Sequence, residues 1–278
     1  MKPLSLLLIL AALGLSAPAV SASIQPAQVT VRFDRTRIEP LLAAGEADRA
    51  THRSVTAEDP VRIASISKLV TALGVLRLVD QGRLDLDRDV SAYLGYPVRN
   101  PAFPDRVITL RLLLSHQSSL IDGADLYLIP LGTPLKDRLA DPRVWDASHA
   151  PGSGWFHYTN LNFPVIGTVI EQVTGERFDV AMHRLVLKPL KVDACFNWGA
   201  GCSDASYKRA VVLYRASGEV ARDDLRGQPP ACPVFAETGS ACRLSDYRPG
   251  HNGALFSPQG GLRISMRELA RIGQVLAR

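Results

Sequence analysis

Three hydrophobic periods succeed one another along this chain. Behind Lys2 comes a largely apolar stretch, Leu4 to Leu15, closed by the small-residue triplets Ala17-Pro18-Ala19 and Val20-Ser21-Ala22. One positive charge, a short apolar run and small residues two apart form the pattern of an export signal cut after Ala22. The run is too short to cross a bilayer, and no cysteine follows the cut to carry a lipid anchor. Residues 1–22 are therefore read as a signal peptide and 23–278 as the folded unit.

The second period is two residues. Val29-Thr30-Val31-Arg32-Phe33 alternates as a half-buried strand does, and the mostly apolar Ile38–Ala44 follows as a second strand. Past Pro60 the period becomes helical. Ile66, Leu69, Val70, Leu73 and Leu76 recur at helical spacing, and Gly82 stands where a C-terminal glycine belongs. Thr109 can cap a second helix through Leu114, Leu161–Val173 reads as a third stopped by Gly175, and Phe178–Leu187 as a fourth ended near Pro189. Gly199–Gly250, rich in Gly, Pro, Asp and Cys, reads as a long irregular surface excursion. Ser265 and Glu268 form a capping box for a last helix, which puts Leu269, Ile272, Val275 and Leu276 on one apolar face. No internal repeat interrupts this order.

Composition narrows the class. With 46% hydrophobic and 21% charged residues, 21 Gly and 19 Pro, the chain is globular rather than disordered, collagen-like or mucin-like. The net charge of +5 comes from 26 Arg and 6 Lys against 27 acids. These arginines are scattered from Arg32 to Arg278 without a basic run, so a nucleic-acid partner is not expected. Four cysteines, Cys195, Cys202, Cys232 and Cys242, lie within 48 residues. In an exported chain an even number reads as two disulfides with three connectivities open, of which short loop closure favours Cys195–Cys202 and Cys232–Cys242. A zinc site would want C-x-x-C pairs, and none is present.

The commoner catalytic signatures are missing: no G-x-S-x-G, H-E-x-x-H, Walker loop or G-x-G-x-x-G. The six histidines lack metal-ligand spacing, with His52, His149 and His251 in loop-like sequence, so neither metal nor cofactor is implied. What remains is Ser65-Ile66-Ser67-Lys68. At a helix start, residues three apart share a face, and the serine N–H is among the free donors of the first turn. A largely apolar surround would favour the neutral lysine and make it a usable base for Ser65. Alone the pair is weak, because 20 Ser and 6 Lys in 278 positions yield roughly 0.4 such pairs by chance. Tyr158-Thr159-Asn160 strengthens it, since 7 Tyr and 5 Asn yield roughly 0.13 Tyr-x-Asn by chance. A phenol beside a lysine can relay a proton, and an amide can hold a carbonyl and the lysine together.

Taken in order, these segments resemble the β-lactamase-related serine hydrolases: class C β-lactamases, penicillin-binding DD-peptidases and similar esterases. Val61–Leu69 looks like the family's nucleophile block, and Gly45–Thr56 like the turn and strand leading into it. Leu112–Leu120 is similar to the Leu-Leu-x-His-x-Ser-Gly-Leu segment, with Ser119 where Gly is usual. Pro151–Gly154 before Tyr158-Thr159-Asn160 and Gly260–Ser265 with its following helix complete the series, from Gly45 to Arg278. The resemblance implies an α/β (α+β) fold of β-lactamase/transpeptidase type. A helical region, about Leu69 to Asp246, is inserted in an α/β region whose antiparallel sheet takes in both chain ends. It also implies an exported, periplasmic or secreted serine hydrolase acting through an acyl-enzyme. Ser65 would be acylated, Lys68 would be the base, Tyr158 would pass protons and Asn160 would hold substrate, with His116 structural. The substrate would be a small molecule or peptide: a β-lactam, a D-alanyl peptide or an ester. No stable membrane anchor and no defined oligomer follow from it.

Two departures accompany the resemblance. The family's third element, His-x-Gly or Lys-Thr-Gly, should follow the Gly-Gly-Leu segment, and only a helix follows there. His251-Asn252-Gly253 matches by letters but precedes that segment and is read as a decoy. The start is also short, so the expectation is a fragment lacking sheet strands and one oxyanion donor. A second reading follows, a catalytically inactive binder of peptidoglycan-type or peptide ligands.

Overall fold

The computed structural model describes residues 26–237 and 239–277, so the proposed signal peptide lies outside the described residues. Strands β1 (Gln28–Phe33) and β2 (Ile38–Ala44) pair as an antiparallel hairpin, with a register shift between Thr30 and Val31 that leaves Leu41 unpaired next to Pro40. Proline lacks the N–H that a ladder needs, so a bulge there is expected. β3 (Glu46–Asp48) and β4 (Arg53–Ser54) form a second small hairpin. β5 (Val61–Arg62) runs into a 3-10 turn, Ala64–Ile66, and then into α1 (Ser67–Asp80).

Short helices α2 (Ser91–Leu94), α3 (Leu110–Leu114) and α4 (Leu135–Leu139) lead to α5 (Asn162–Thr174). Thr109 caps α3 as its position suggests, and Gly175 ends α5 at φ +73°. α6 (Phe178–Met182) continues as a π-helical turn, His183–Leu187, so the helix expected over Phe178–Leu187 is present but widened in its second half. The remaining elements are β6 (Cys195–Phe196), α7 (Asp204–Arg209), β7 (Leu213–Tyr214), β8 (Val220–Arg222), β9 (Leu262–Ile264) and α8 (Met266–Leu276).

α5 is the centre of the helical region, buried from Asn162 to Glu171 on every side. Its approach to the late chain depends on glycine at both partners. A Cβ on Gly253 would stand 2.1 Å from the Thr168 nitrogen, and one on Gly167 would stand 2.6 Å from the Gly253 carbonyl oxygen. His251-Asn252-Gly253 is thus a packing segment, with Asn252 buried and donating to the Ile129 and Pro130 carbonyls.

The sheet that matters for the site is β5-β9-β6, with Val61 opposite Ile264 and Cys195 opposite Arg263. It joins the strand before Ser65 to the strand after Gly260-Gly261, so segments about two hundred residues apart in sequence meet beside one turn. Most of the apolar stripe expected to bury α1 does not face the core. The buried side of α1 is Ser67, Lys68, Val70, Thr71, Val75 and Leu78, while Ile66, Leu69 and Leu76 face outward. Polar residues turn inward because they have partners there: Ser67 Oγ accepts the Leu262 N–H (3.0 Å) and Thr71 Oγ1 donates to the Pro258 carbonyl (2.9 Å). The excursion from Gly199 to Gly250 is also less superficial than its composition suggests, since Val211, Val212, Asp223 and Val234 are buried.

Both disulfides close short loops, Cys195–Cys202 and Cys232–Cys242, the favoured connectivity. α8 lies on the β1–β2 hairpin, where the Phe33 ring occupies the space a Cβ on Gly273 would need. Of its apolar face, Ile272 is buried, Leu269 is half-buried, and Val275 and Leu276 are exposed. The Ser265 hydroxyl caps the helix by accepting from the Glu268 N–H (3.2 Å), while the Glu268 carboxylate turns to Arg271 instead of closing the box.

Candidate active site

Ser65 is set out from the molecule by its own backbone. Ala64, directly before it, takes φ +46°, a left-handed conformation that costs a residue with a Cβ roughly 1–2 kcal/mol. The strained turn presents Ser65 exposed at the mouth of a cleft of about 190 Å3 lined by Arg62, Tyr127, Asn160, Gln259 and Gly260 among others.

Lys68 stands one turn later and is only 8% exposed. Its Nζ donates to Ser65 Oγ (3.1 Å), Asn160 Oδ1 (2.9 Å) and the Gln259 carbonyl oxygen (2.9 Å). The nitrogen also lies over the rings of Tyr158 (4.9 Å) and Phe163 (5.3 Å). The surround is therefore mixed: aromatic faces on one side and three oxygens on the other, rather than the largely apolar pocket expected. Tyr158 donates its hydroxyl to Ser65 Oγ at 2.7 Å. All four residues singled out in the sequence, Ser65, Lys68, Tyr158 and Asn160, meet at one oxygen and one nitrogen.

Hydrogen bonding around this pair closes in two protonation states. As an ammonium, Lys68 has three hydrogens and three acceptors. As an amine it can accept from Ser65 and donate its two remaining hydrogens to Asn160 Oδ1 and the Gln259 carbonyl. Neither state leaves Lys68 Nζ or its three partners unpaired, so a proton can cross the Ser65–Lys68 contact without these bonds rearranging.

Asn160 is aimed by a residue the motif reading missed. Asp122 Oδ1 accepts the backbone N–H groups of Asn160 (2.7 Å) and Leu161 (3.0 Å), and Asp122 Oδ2 accepts from Asn160 Nδ2 (2.8 Å). With the amide nitrogen on a carboxylate, Asn160 Oδ1 must face Lys68. The only sequence signal was position, two residues beyond the Leu112–Leu120 segment.

Behind Tyr158 sits His116, stacked on the phenol at 4.7 Å with 26° between the planes. Its Nδ1 accepts the Thr159 N–H (3.1 Å). Burial first, and then the Lys68 charge, hold the His116 imidazole below its ordinary pKa, which keeps it neutral and accepting. His116 thus positions the Tyr158-Thr159-Asn160 turn, in line with its structural reading. Ser119, in the family's glycine position, explains that preference: its φ is +61°, and its buried hydroxyl accepts from Asn100 Nδ2 at 2.9 Å. Of the loop histidines, His52 and His251 are exposed, whereas His149 stacks on Trp155 at 4.3 Å.

This geometry can be set against known proteins. The Beta-lactamase family model matches residues 31–278. The chain belongs to the Beta-lactamase family. Esterase EstB of Burkholderia gladioli is 36% identical over 236 residues, covering 78% of this chain and 53% of EstB. Among solved structures, "EstCE1, a hydrolase with promiscuous acyltransferase activity" superposes with TM-score 0.63 at 22% identity, covering 88% of this chain and 66% of that one. A class C β-lactamase from Rhodobacter sphaeroides gives TM-score 0.64 at 18% identity, covering 89% and 59%. Both superpositions bear out the β-lactamase/transpeptidase-like fold. The chain spans about half the length of the curated relatives it matches.

Proposed function

We propose that this Beta-lactamase family chain carries the acylation machinery of an exported serine hydrolase, with Ser65 as the acylated residue. What supports the reading most is a single arrangement: Ser65 Oγ lies 2.7 Å from Tyr158 Oη and 3.1 Å from Lys68 Nζ. In the acylation step Ser65 Oγ forms a bond to the substrate carbonyl carbon while its proton passes to Lys68 Nζ. The carbonyl π electrons move onto oxygen and return as the leaving group departs. That leaving oxygen or nitrogen takes a proton through Tyr158, which is replenished from the lysine side. Asn160 orients the substrate carbonyl and keeps Lys68 in place. Water then cleaves the Ser65 ester by the reverse route, releasing an acid and restoring the hydroxyl.

Esters are the substrates best supported, since EstB, similar over 78% of this chain and 53% of its own length, is an esterase. Two disulfides fit release into an oxidising compartment, the periplasm or the medium. Among the described residues no helix is long and apolar enough to cross a membrane.

Turnover of a nitrophenyl ester and of a chromogenic cephalosporin, by the chain and by Ser65→Ala, tests the reading. Ester turnover that vanishes in the variant is the expected result. Ligand binding without any turnover would favour the inactive binder.

A further inference from the structure

The Ser65 cleft does not end at the serine. A second hollow of about 400 Å3 adjoins it, and the two share Arg62, Tyr127, Leu128, Ser257 and Gln259 as common wall. Apolar Ile129, Val234 and Leu255 line it, and so do two arginines, Arg62 and Arg222.

Among the described residues, two arginines and no carboxylate line this hollow. Asp223 is fully engaged: Arg263 donates to both its oxygens (3.2 and 3.0 Å), and the Trp198 indole donates to one (2.8 Å). Among the described residues the ion pairs of this region are Arg263–Asp223, Arg226–Asp224 and Arg226–Asp48, and none includes Arg62 or Arg222. Arg62 is half-buried and, among the described residues, hydrogen-bonds to no side chain. Burial, followed by the charge of Arg222, pulls its guanidinium below the ordinary value. Two guanidiniums on one hollow, offset in part by the nearby Asp223 carboxylate, favour an arriving anion. Tyr127, on the shared wall, is held in its phenol form by burial and by Asp125 and Asp122, and its hydroxyl turns to Asp125.

We propose that this second hollow is a carboxylate subsite. Substrates of Ser65 carry an anionic group on an apolar arm, and Arg62 and Arg222 hold that group while the arm lies along Val234 and Leu255. The inference rests on the proposed function only for what the carboxylate is attached to. The subsite itself is a property of this cavity.

The test uses two ligands with one carbon skeleton, 4-phenylbutyrate and 4-phenylbutan-1-ol, titrated calorimetrically into the full chain at low salt. The carboxylate should bind more tightly by about tenfold or more, and the ratio should fall toward one as salt is added. Arg222→Glu, at an exposed position, should collapse the ratio, and Arg62→Gln should do the same. Equal affinities in the unaltered chain, no measurable binding of the acid, or a ratio untouched by both variants would overturn the subsite. Neither ligand has a scissile bond, so the outcome is independent of acylation. Absence of ester turnover counts against the proposed function, whereas equal binding counts against the subsite alone.

Discussion

At the scale of single residues, Lys68 carries the most consequence because it is both a structural partner and the proposed base. Lys68→Ala removes a donor from Asn160 Oδ1 and the Gln259 carbonyl, both on residues that line the adjoining cleft. Stability should therefore fall by only about 1–2 kcal/mol. General-base catalysis is worth about 100- to 10,000-fold, so acylation should fall by about that factor. Pre-steady-state acylation beside thermal unfolding separates the two. A midpoint that collapses along with the rate would make Lys68 a structural residue. Tyr158→Phe keeps the ring that packs on His116 and over Lys68, and should cost about 10- to 100-fold in acylation with little change in midpoint. The four site residues were legible because chemistry restricts them to a few residue types at fixed spacing. Asp122 was not, because a carboxylate that only receives N–H groups from a neighbouring turn leaves no periodic mark.

At the scale of elements, α5 holds the most unusual buried group. Glu171 is fully buried on it, accepting from Tyr247, from the Gly250 N–H (2.9 Å) and from the Phe178 N–H (2.8 Å). Burial pushes its carboxyl up to about 7, outweighing those three donors. A carboxyl raised above its unfolded value of 4.5 contributes stability fully below that pH and loses it as pH rises through about 7. The chain should thus lose stability between about pH 4.5 and 7, and Glu171→Gln should flatten that slope; parallel urea midpoints across the range would contradict it. Element existence was readable where caps and glycines fixed it, at Thr109, Gly175 and Ser265. The facing of α1 was not readable. Its apolar stripe implied one side inward, but Ser67, Lys68 and Thr71 found partners from residues 258–262, a segment nearly two hundred residues away.

At the scale of the whole molecule, the late strand β9 ties three regions together. Arg263 on it is 2% exposed, bonds both oxygens of Asp223 in the Cys-rich excursion and reaches Asn197 Oδ1 at 2.6 Å. Composition alone made that excursion look superficial, because a buried ion pair and two disulfides do not follow any hydrophobic period. Asp223→Ala would leave a buried, unpaired guanidinium, and should cost about 3–5 kcal/mol in urea unfolding. An unchanged midpoint would mean the excursion is not anchored through Arg263. The central claim, however, is that Ser65 is the residue this fold was built to acylate. Its most direct test is to treat the chain with a fluorophosphonate and locate the adduct by peptide mass spectrometry. One label is expected, on Ser65, absent from Ser65→Ala and retained in Ser67→Ala. A label on Ser67, Ser118 or Ser119, or none at all, would contradict it.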